Sequence, residues 1–281
     1  MRTEQKIRLA GLLSRLVRRV RSVSGRPDVS LFRRDGLNWE LDLRQGIDFA
    51  IFLQGGFEPM TLREYGRLVK EGDTVFDIGA NIGAHTLPLA RLVGPHGTVA
   101  AFEPTDYAYS KLRKNLALNP LLEQRIIAVQ ALLVSKTEDL KPEAIPSSWS
   151  LEAPLPGDNI HPVHKGSYNS LQGATAIQLD QWVEESHLDR LDFIKIDVDG
   201  FEIDVLEGAK QTLKRFRPRI MMEFAPYVFE ERGRSFGELI AFLQMSGYLA
   251  RQVHGGILNL SPSLEKSIPH GGSINVILDP P

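Results

Sequence analysis

The sequence has no cysteine. Disulfides, thiolate zinc sites and a cysteine nucleophile are therefore excluded, and a reducing compartment is compatible with the chain. It also lacks any apolar run near the roughly 20 residues that a membrane-spanning helix needs. The basic amino terminus does not supply a secretory signal, because Leu9 to Val20 is interrupted by Ser14, Arg15, Arg18 and Arg19. The expected location is the cytoplasm. Nor is there a basic excess: 33 Lys and Arg stand against 35 Asp and Glu. That argues against a general nucleic-acid binder, since neutralising phosphates takes a clear surplus of cations. Internal repeats and low-complexity tracts are absent too.

With 281 residues and 42% hydrophobic content, the chain can bury a full core as one large domain or a domain plus an appendage. The second arrangement is expected, with residues 1–40 as a basic helix and lead-in and residues 41–281 as the main domain. Leu9, Leu12, Leu13, Leu16, Val17 and Val20 recur at helical spacing, so Arg8 to Arg21 should be a helix. Its flanks carry most of the local charge as arginine, leaving the rest of the chain acidic. Such a helix can lie on an anionic membrane surface through residues 6–21. Packing of the helix on the domain or on a second subunit, with the arginines solvated, is the preferred reading. Beyond it, Trp39 to Leu43 alternates as a strand, Arg44-Gln-Gly46 turns it over, and Ile47 to Phe52 continues in β-prone residues. Met60 to Lys70 has helical spacing.

From Asp73 the pattern becomes that of an α/β protein. Asp73-Thr-Val-Phe-Asp77-Ile-Gly79-Ala-Asn81-Ile-Gly83-Ala-His85-Thr86 reads as a strand, a glycine-rich turn and a helix with an acid at the strand's end. Helix Thr86 to Leu92, strand Thr98 to Glu103, helix Asp106 to Asn119 and strand Arg125 to Leu133 follow. After an irregular stretch come helix Asp180 to Ser186, strand Leu191 to Asp197, helix Ile203 to Phe216 and strand Arg219 to Phe224. A last helix, Phe236 to Gly247, precedes Tyr248 to Val253 and Ile274 to Leu278, two strands able to pair as an antiparallel hairpin. This alternation implies right-handed crossovers and a doubly wound, mostly parallel sheet, Rossmann-like in type. The irregular stretch Ser135 to Ala176, rich in Pro, Ser, Gly and His, is the candidate substrate loop.

Strand ends deliver polar groups to one rim: Asp77, Glu103, Gln130, Asp197 and Glu223. Buried parallel strands normally read as continuous apolar runs, so this recurrence points to a ligand. A dinucleotide would need G-x-G-x-x-G for its pyrophosphate. Here Gly79-Ala-Asn81-Ile-Gly83 lacks the middle glycine, and Asp77 would repel phosphate. A cofactor with an ammonium, a sulfonium and a ribose diol suits the rim, as in S-adenosylmethionine. Glu103 would accept the ribose hydroxyls, and Gly79, Asn81, Gly83 and Thr86 would shape the turn against the amino-acid moiety. Gln130 and Glu58 complete the cofactor set, Glu58 reaching the methionine ammonium from the loop Gly56-Phe-Glu-Pro59.

The motifs Asp73 to Gly83, Ala101-Phe-Glu-Pro104, Asp192-Phe-Ile-Lys-Ile-Asp-Val-Asp-Gly-Phe-Glu202, Val205-Leu-Glu-Gly208 and Met222-Glu-Phe224 resemble the FkbM family of S-adenosylmethionine-dependent methyltransferases. The resemblance runs from about Leu41 to the carboxyl terminus. It implies O-methylation of a hydroxyl on a sugar or polyketide-like product, and a class I sheet of seven strands. Two positions depart from the family's pattern: Asp199 stands where Glu is common, and His85 where an aromatic residue is usual.

An alcohol is a poor nucleophile at neutral pH and needs a base or a metal ion. Phe193, Lys195, Asp197 and Asp199 alternate along one strand, which puts the lysine and both acids on a single face. Lys195 is either the ion-pair partner of Asp197 and Glu223 or a base with a depressed pKa. Asp197 is the first choice for positioning the nucleophile or the methionine ammonium. Asp197, Asp199 and Glu223 could together ligate Mg²⁺, although acids gathered simply to hold a cationic cofactor are preferred. Glu202 and Glu207 read as solvated or capping residues of the next helix. His161 and His164 are candidate bases arriving with substrate, and Tyr168 and Asn169 candidate sugar contacts. Two other readings stand beside an O-methyltransferase: a nucleic-acid methyltransferase gripping through the basic helix, and a non-catalytic cofactor-binding protein.

Overall fold

The computed structural model describes residues 3–137, 142–152, 166–230, 232–253, 255–269 and 271–281, the side chains of residues 3–8 and 148 apart. In chain order its strands are β1 (Val29–Arg34), β2 (Leu37–Asp42), β3 (Thr74–Ile78), β4 (Thr98–Phe102), β5 (Ile126–Val129), β6 (Ala131–Leu133) and β7 (Ala144–Ser148). They continue with β8 (Ser167–Ser170), β9 (Thr175–Ile177), β10 (Phe193–Ile196), β11 (Arg219–Phe224), β12 (Leu249–Gln252), β13 (Ile257–Leu258) and β14 (Ile274–Asp279).

The main sheet runs β13-β12-β14-β11-β10-β3-β4-β5. From β5 to β11 neighbouring strands are parallel, and β14 lies antiparallel between β11 and β12. The fold is thus the expected doubly wound sheet, with the two-residue β13 added as an eighth strand. The chain moves outward from β3 through β4 to β5 and returns to β10 on the other side of β3. That reversal makes β3 and β10 the switch point, where the carboxyl ends of strands open a crevice. The apolar residues of β3 and β10 are fully buried. Phe76, Phe102 and Trp182 close edge to face over one side of the sheet, with ring centroids 4.9–5.7 Å apart.

Local expectations fail where tertiary packing overrides propensity. Ile47 to Phe52 is not extended but lies in helix Gly46–Gln54. Buried Asp48 in its first turn accepts from Asp42 N at 2.7 Å and pairs with Lys111, and Gly55 closes it in the left-handed region at φ 87°. The expected strand Arg125 to Leu133 breaks at Gln130 into β5 and β6, and β6 leaves the sheet to pair with β9. Helix Ile203 to Phe216 is two helices, Glu202–Glu207 and Lys210–Phe216. At the break, a Cβ on Gly208 would lie 2.2 Å from the Val134 carbonyl oxygen. The stretch 135–176 is not patternless either: β7 pairs antiparallel with β8.

The amino-terminal helix spans Thr3–Val23 and packs on helix Gly46–Gln54. The helix packs on the domain, as preferred, but not through the leucine stripe, and Arg18 is paired rather than solvated. Its inward face is Gly11, Ser14, Val17 and Arg18. Ser14 Oγ donates to the Leu43 carbonyl at 2.5 Å, and Arg18 pairs with Asp28 at 2.8 Å and Glu152 at 2.9 Å. A small and polar face permits closer approach than leucines would; of the stripe only Val17 turns in, and Leu9, Leu12, Leu13, Leu16 and Val20 are left facing out.

Gly79 shows how tightly the switch point is packed. At φ 80°, a Cβ there would fall 1.8 Å from the Asp197 carbonyl oxygen, so the space left by the missing side chain is taken by the end of β10. Gly79→Ala is expected to lower unfolding stability by about 3 kcal/mol or more. Urea denaturation measures this, and a loss below about 0.5 kcal/mol would contradict the packing described.

Candidate functional site

β3 and β10 lie in register with Asp77 opposite Lys195. The buried Lys195 Nζ donates to the Gly79 carbonyl at 3.0 Å and sits 3.5 Å from both Asp77 Oδ1 and Asp197 Oδ2. Burial alone would depress the lysine's pKa, but Asp197, Asp77 and Glu58 outweigh it and hold the value above the ordinary one. Lys195 is therefore a fixed cation. The alternative of a depressed-pKa base fails, and its second partner is Asp77 rather than Glu223. Thr86 Oγ1 donates to Asp77 Oδ2 at 2.6 Å, so Asp77 is wholly buried beneath the turn and not presented on the rim.

The turn after β3 spends its own donors. Gly79 N and Ala80 N both donate to the Phe102 carbonyl at 3.0 and 2.9 Å, and Gly83 N to the Ala80 carbonyl. Ile82 N donates to Asn81 Oδ1, and Asn81 N to Glu103 Oε2 at 3.0 Å. None of these amides is left for a pyrophosphate, which removes the feature on which dinucleotide turns depend. Asn81 occupies the left-handed region at φ 48°, a conformation asparagine tolerates, and this aims its amide at Glu103.

Glu103, at the end of β4, also accepts from Thr105 N at 2.9 Å and Thr105 Oγ1 at 2.6 Å. Burial pushes its carboxyl up from the usual range, while these donors pull it back. Two carboxylate oxygens with about four lone-pair sites have capacity beyond these three bonds. Glu103 stands in a half-open cleft. Asp197 and Asp199 line the same cleft; Leu133, Val198 and Phe201 form apolar walls, and Ile145 to Ser147 of β7 cover it. Asn81 Nδ2 fastens the cover by donating to the Ser147 carbonyl at 2.6 Å.

Other expected site residues fall in three places. Glu58 does reach the Lys195 group: at φ 50° ahead of helix Pro59–Leu68, its Oε2 accepts from Thr61 Oγ1 at 3.0 Å and Asn275 Nδ2 at 3.1 Å. Burial and Asp197 raise its pKa. Gln130 donates to the Gln172 carbonyl at 2.9 Å and is not among the residues that line the cleft. Glu223 accepts from Ser273 Oγ, and burial with the Asp197 charge holds its carboxyl well above the usual range. Among the described residues no group of three or more acidic or histidine side chains is arranged to hold a metal ion, so Asp197, Asp199 and Glu223 do not converge as a Mg²⁺ site. His161 and His164 lie outside the described residues.

Of two further buried groups, one keeps the expected role and the other does not. His85 keeps an aromatic role, edge-on to Phe57 and Tyr65, and burial pushes its pKa well below the ordinary value. Glu202 is not solvated: it is buried, and its Oε1 accepts from Val198 N at 3.3 Å. Burial raises its pKa to about 7. Ser147, Thr105 and Val198 carry no charge, and only the regularity of Thr105 as a Glu103 neighbour could have suggested one of them.

A reversed α/β sheet whose crevice is lined by acids and closed to pyrophosphate defines an S-adenosylmethionine-dependent methyltransferase of class I. The chain belongs to the FkbM methyltransferase family, since the methyltransferase FkbM domain matches residues 77–250. It is 26% identical over 200 residues to the 2-O-methyltransferase NoeI of Sinorhizobium fredii, covering 68% of this chain and 80% of that protein. Similarity to the hexuronic acid methyltransferase AglP of Haloferax volcanii is 27% over 145 residues, about half of each protein (52% and 53%). The solved FkbM methyltransferase of Methylobacillus flagellatus overlaps 77% of this chain and 50% of its own at 14% identity, with a TM-score of 0.43.

Glu103→Gln is expected to weaken S-adenosylmethionine binding by about 1.5–3 kcal/mol, the worth of a hydrogen bond to a charged acceptor. Titration calorimetry at neutral pH reads this directly; unchanged affinity would remove Glu103 from the cofactor site. A second expectation concerns pH. Because the folded pKa of Glu202 lies near 7 against an ordinary 4.5, its contribution to stability is complete below about pH 4.5 and is lost as pH rises through 7. Glu202→Gln removes that loss. Its stability relative to wild type should rise by on the order of 3 kcal/mol between pH 4.5 and pH 8, and a flat difference in urea denaturation across that range would contradict it.

Proposed function

We propose that this methyltransferase methylates a hydroxyl of a saccharide, with the catalytic unit in residues 41–281. The observation that carries the reading is the two-ended cleft: a buried carboxylate, Glu103, at one end and a half-buried one, Asp197, beside the Lys195 cation at the other. The names of the relatives NoeI and AglP, a 2-O-methyltransferase and a hexuronic acid methyltransferase, support a sugar acceptor.

The residues present fit S-adenosylmethionine by their chemistry. Glu103, Asp197 and Glu58 offer acceptors to a ribose diol and an ammonium, and the amides from Gly79 to Gly83 are already paired within the protein. When bound, the cofactor supplies a methyl group activated by its sulfonium. Glu103 holds the ribose hydroxyls, while Glu58 and Asp197 receive the methionine ammonium. Lys195, Asp77 and Thr86 position Asp197 from beneath, and Gly79, Asn81 and Gly83 set the turn.

Asp197 is also the described carboxylate best placed to orient an acceptor hydroxyl and take its proton, being both in the cleft and partly open. His164 is the other candidate base. The natural-product hydroxyls named above form the second substrate class, and the acids that line the cleft weigh against a nucleic-acid acceptor.

Transfer of labelled methyl from S-adenosylmethionine to a panel of uronic acids, amino-sugar oligosaccharides and polyketide alcohols tests the reading. Label should enter a saccharide ether. Transfer only to polyketide alcohols or RNA would overturn it. With the acceptor found, Asp197→Asn should lower kcat by about 10²-fold or more if it manages the proton, and raise the KM for cofactor as the partner of its ammonium is lost. An unchanged kcat would remove Asp197 from the proton's path.

A further inference from the structure

The leucine stripe of the amino-terminal helix is the largest feature that the methyl-transfer site leaves unused. Leu12, Leu16 and Val20 are 53%, 61% and 63% exposed, and Leu9 and Leu13 stand beside them. On a helix with a normal choice of partners these residues would be buried, because each exposed leucine forgoes the favourable transfer of its side chain from water. The opposite face is already committed, through Ser14 to Leu43 and Arg18 to Asp28 and Glu152. The helix is thus seated on the protein with its apolar side deliberately outward.

Charge selects what covers that side. Residues 9–27 contain five arginines and no acid. Arg15, Arg19, Arg26 and Arg33 are exposed and make no ion pair among the described residues. Beside the helix runs an open groove of about 940 Å³, floored by Phe32 and Phe52, walled by Leu16 and Val20, and rimmed by Arg26 and Arg34. No described helix is long and apolar enough to cross a bilayer.

We propose that this face, the Leu9 to Val20 stripe with its arginine flank and adjoining groove, docks the enzyme on an anionic lipid bilayer. An exposed apolar stripe bordered by arginines matches the acyl and headgroup layers of such a surface in the order in which they are met. A second copy docked through the same stripe would bring two unneutralised arginine flanks together with no acid between them. A nucleic acid would pair with the arginines and leave the leucines wet. The docking surface is independent of which hydroxyl is methylated.

The test is flotation of the whole protein with vesicles of phosphatidylcholine alone and of phosphatidylcholine with phosphatidylglycerol. Binding to the anionic vesicles is expected, weakening as salt is raised. The double variant Leu12→Glu, Leu16→Glu alters only exposed positions and should keep the wild-type melting temperature while losing at least about tenfold in vesicle affinity. Arg15→Glu, Arg19→Glu should lose about tenfold or more. Equal binding to both vesicle types, failure of the wild type to float, or undiminished flotation of the leucine variant would overturn the proposal. So would a stable wild-type dimer in sedimentation equilibrium that the leucine variant dissociates without any vesicle binding, for then a second copy covers the stripe.

Discussion

A single buried ammonium organises the switch point of this fold. Lys195 Nζ lies in the interior between β3 and β10, and a charge taken out of water at that depth is tolerated only if it is fully compensated. Compensation comes from Asp77, Asp197 and the Gly79 carbonyl, which belong respectively to the end of β3, the end of β10 and the turn between strand and helix. The cation therefore locks three backbone segments into one arrangement. It also explains why Gly79 has no room for a side chain: β10 is drawn so close that its Asp197 carbonyl occupies the place of a Cβ.

That arrangement decides the ligand as much as the acids do. With the turn pulled under β4 and against β10, its amides point inward to Phe102, Ala80, Asn81 and Glu103. A turn of similar glycine spacing can bind pyrophosphate when those amides are free, so glycine count alone does not distinguish the two uses. What distinguishes them is where the amide donors go. Asn81 is central to this: its left-handed backbone turns the main-chain amide to Glu103, while its side chain reaches out to the covering strand.

Legibility followed the range of the interactions involved. The alternation of strands and helices, and the strand ends, were readable because apolar runs such as Val99 to Phe102, and the acids that follow them, are local patterns tied directly to burial. Glu103 and Asp197 were found this way. Asp77 was also found, but its depth beneath the turn depends on Thr86 and Lys195, contacts that no spacing rule reports. Helix Gly46–Gln54 was misread because Ile47 to Phe52 is β-prone locally, and the buried Asp48–Lys111 pair that favours the helix joins residues far apart in sequence. Periodicity located the leucine stripe but could not report which face packs, since Gly11 and Ser14 carry no hydrophobic signal while allowing close approach.

The segment 142–152 links the two surfaces that otherwise look unrelated. Its first half covers the cleft, held by Asn81 to the Ser147 carbonyl and by Asn169 Nδ2 to Ser147 Oγ at 2.9 Å. Its second half seats the amino-terminal helix: Trp149 O accepts from Gly46 N, Leu151 N donates to Arg44 O, both at 2.7 Å, and Glu152 pairs with Arg18. Both halves are held by backbone pairs, the first through the antiparallel ladder with β8 and the second through the helix's own support, and Asn81 and Asn169 add side-chain bonds at the buried Ser147. One continuous segment thus borders both the cleft and the seat of the helix with its outward leucines.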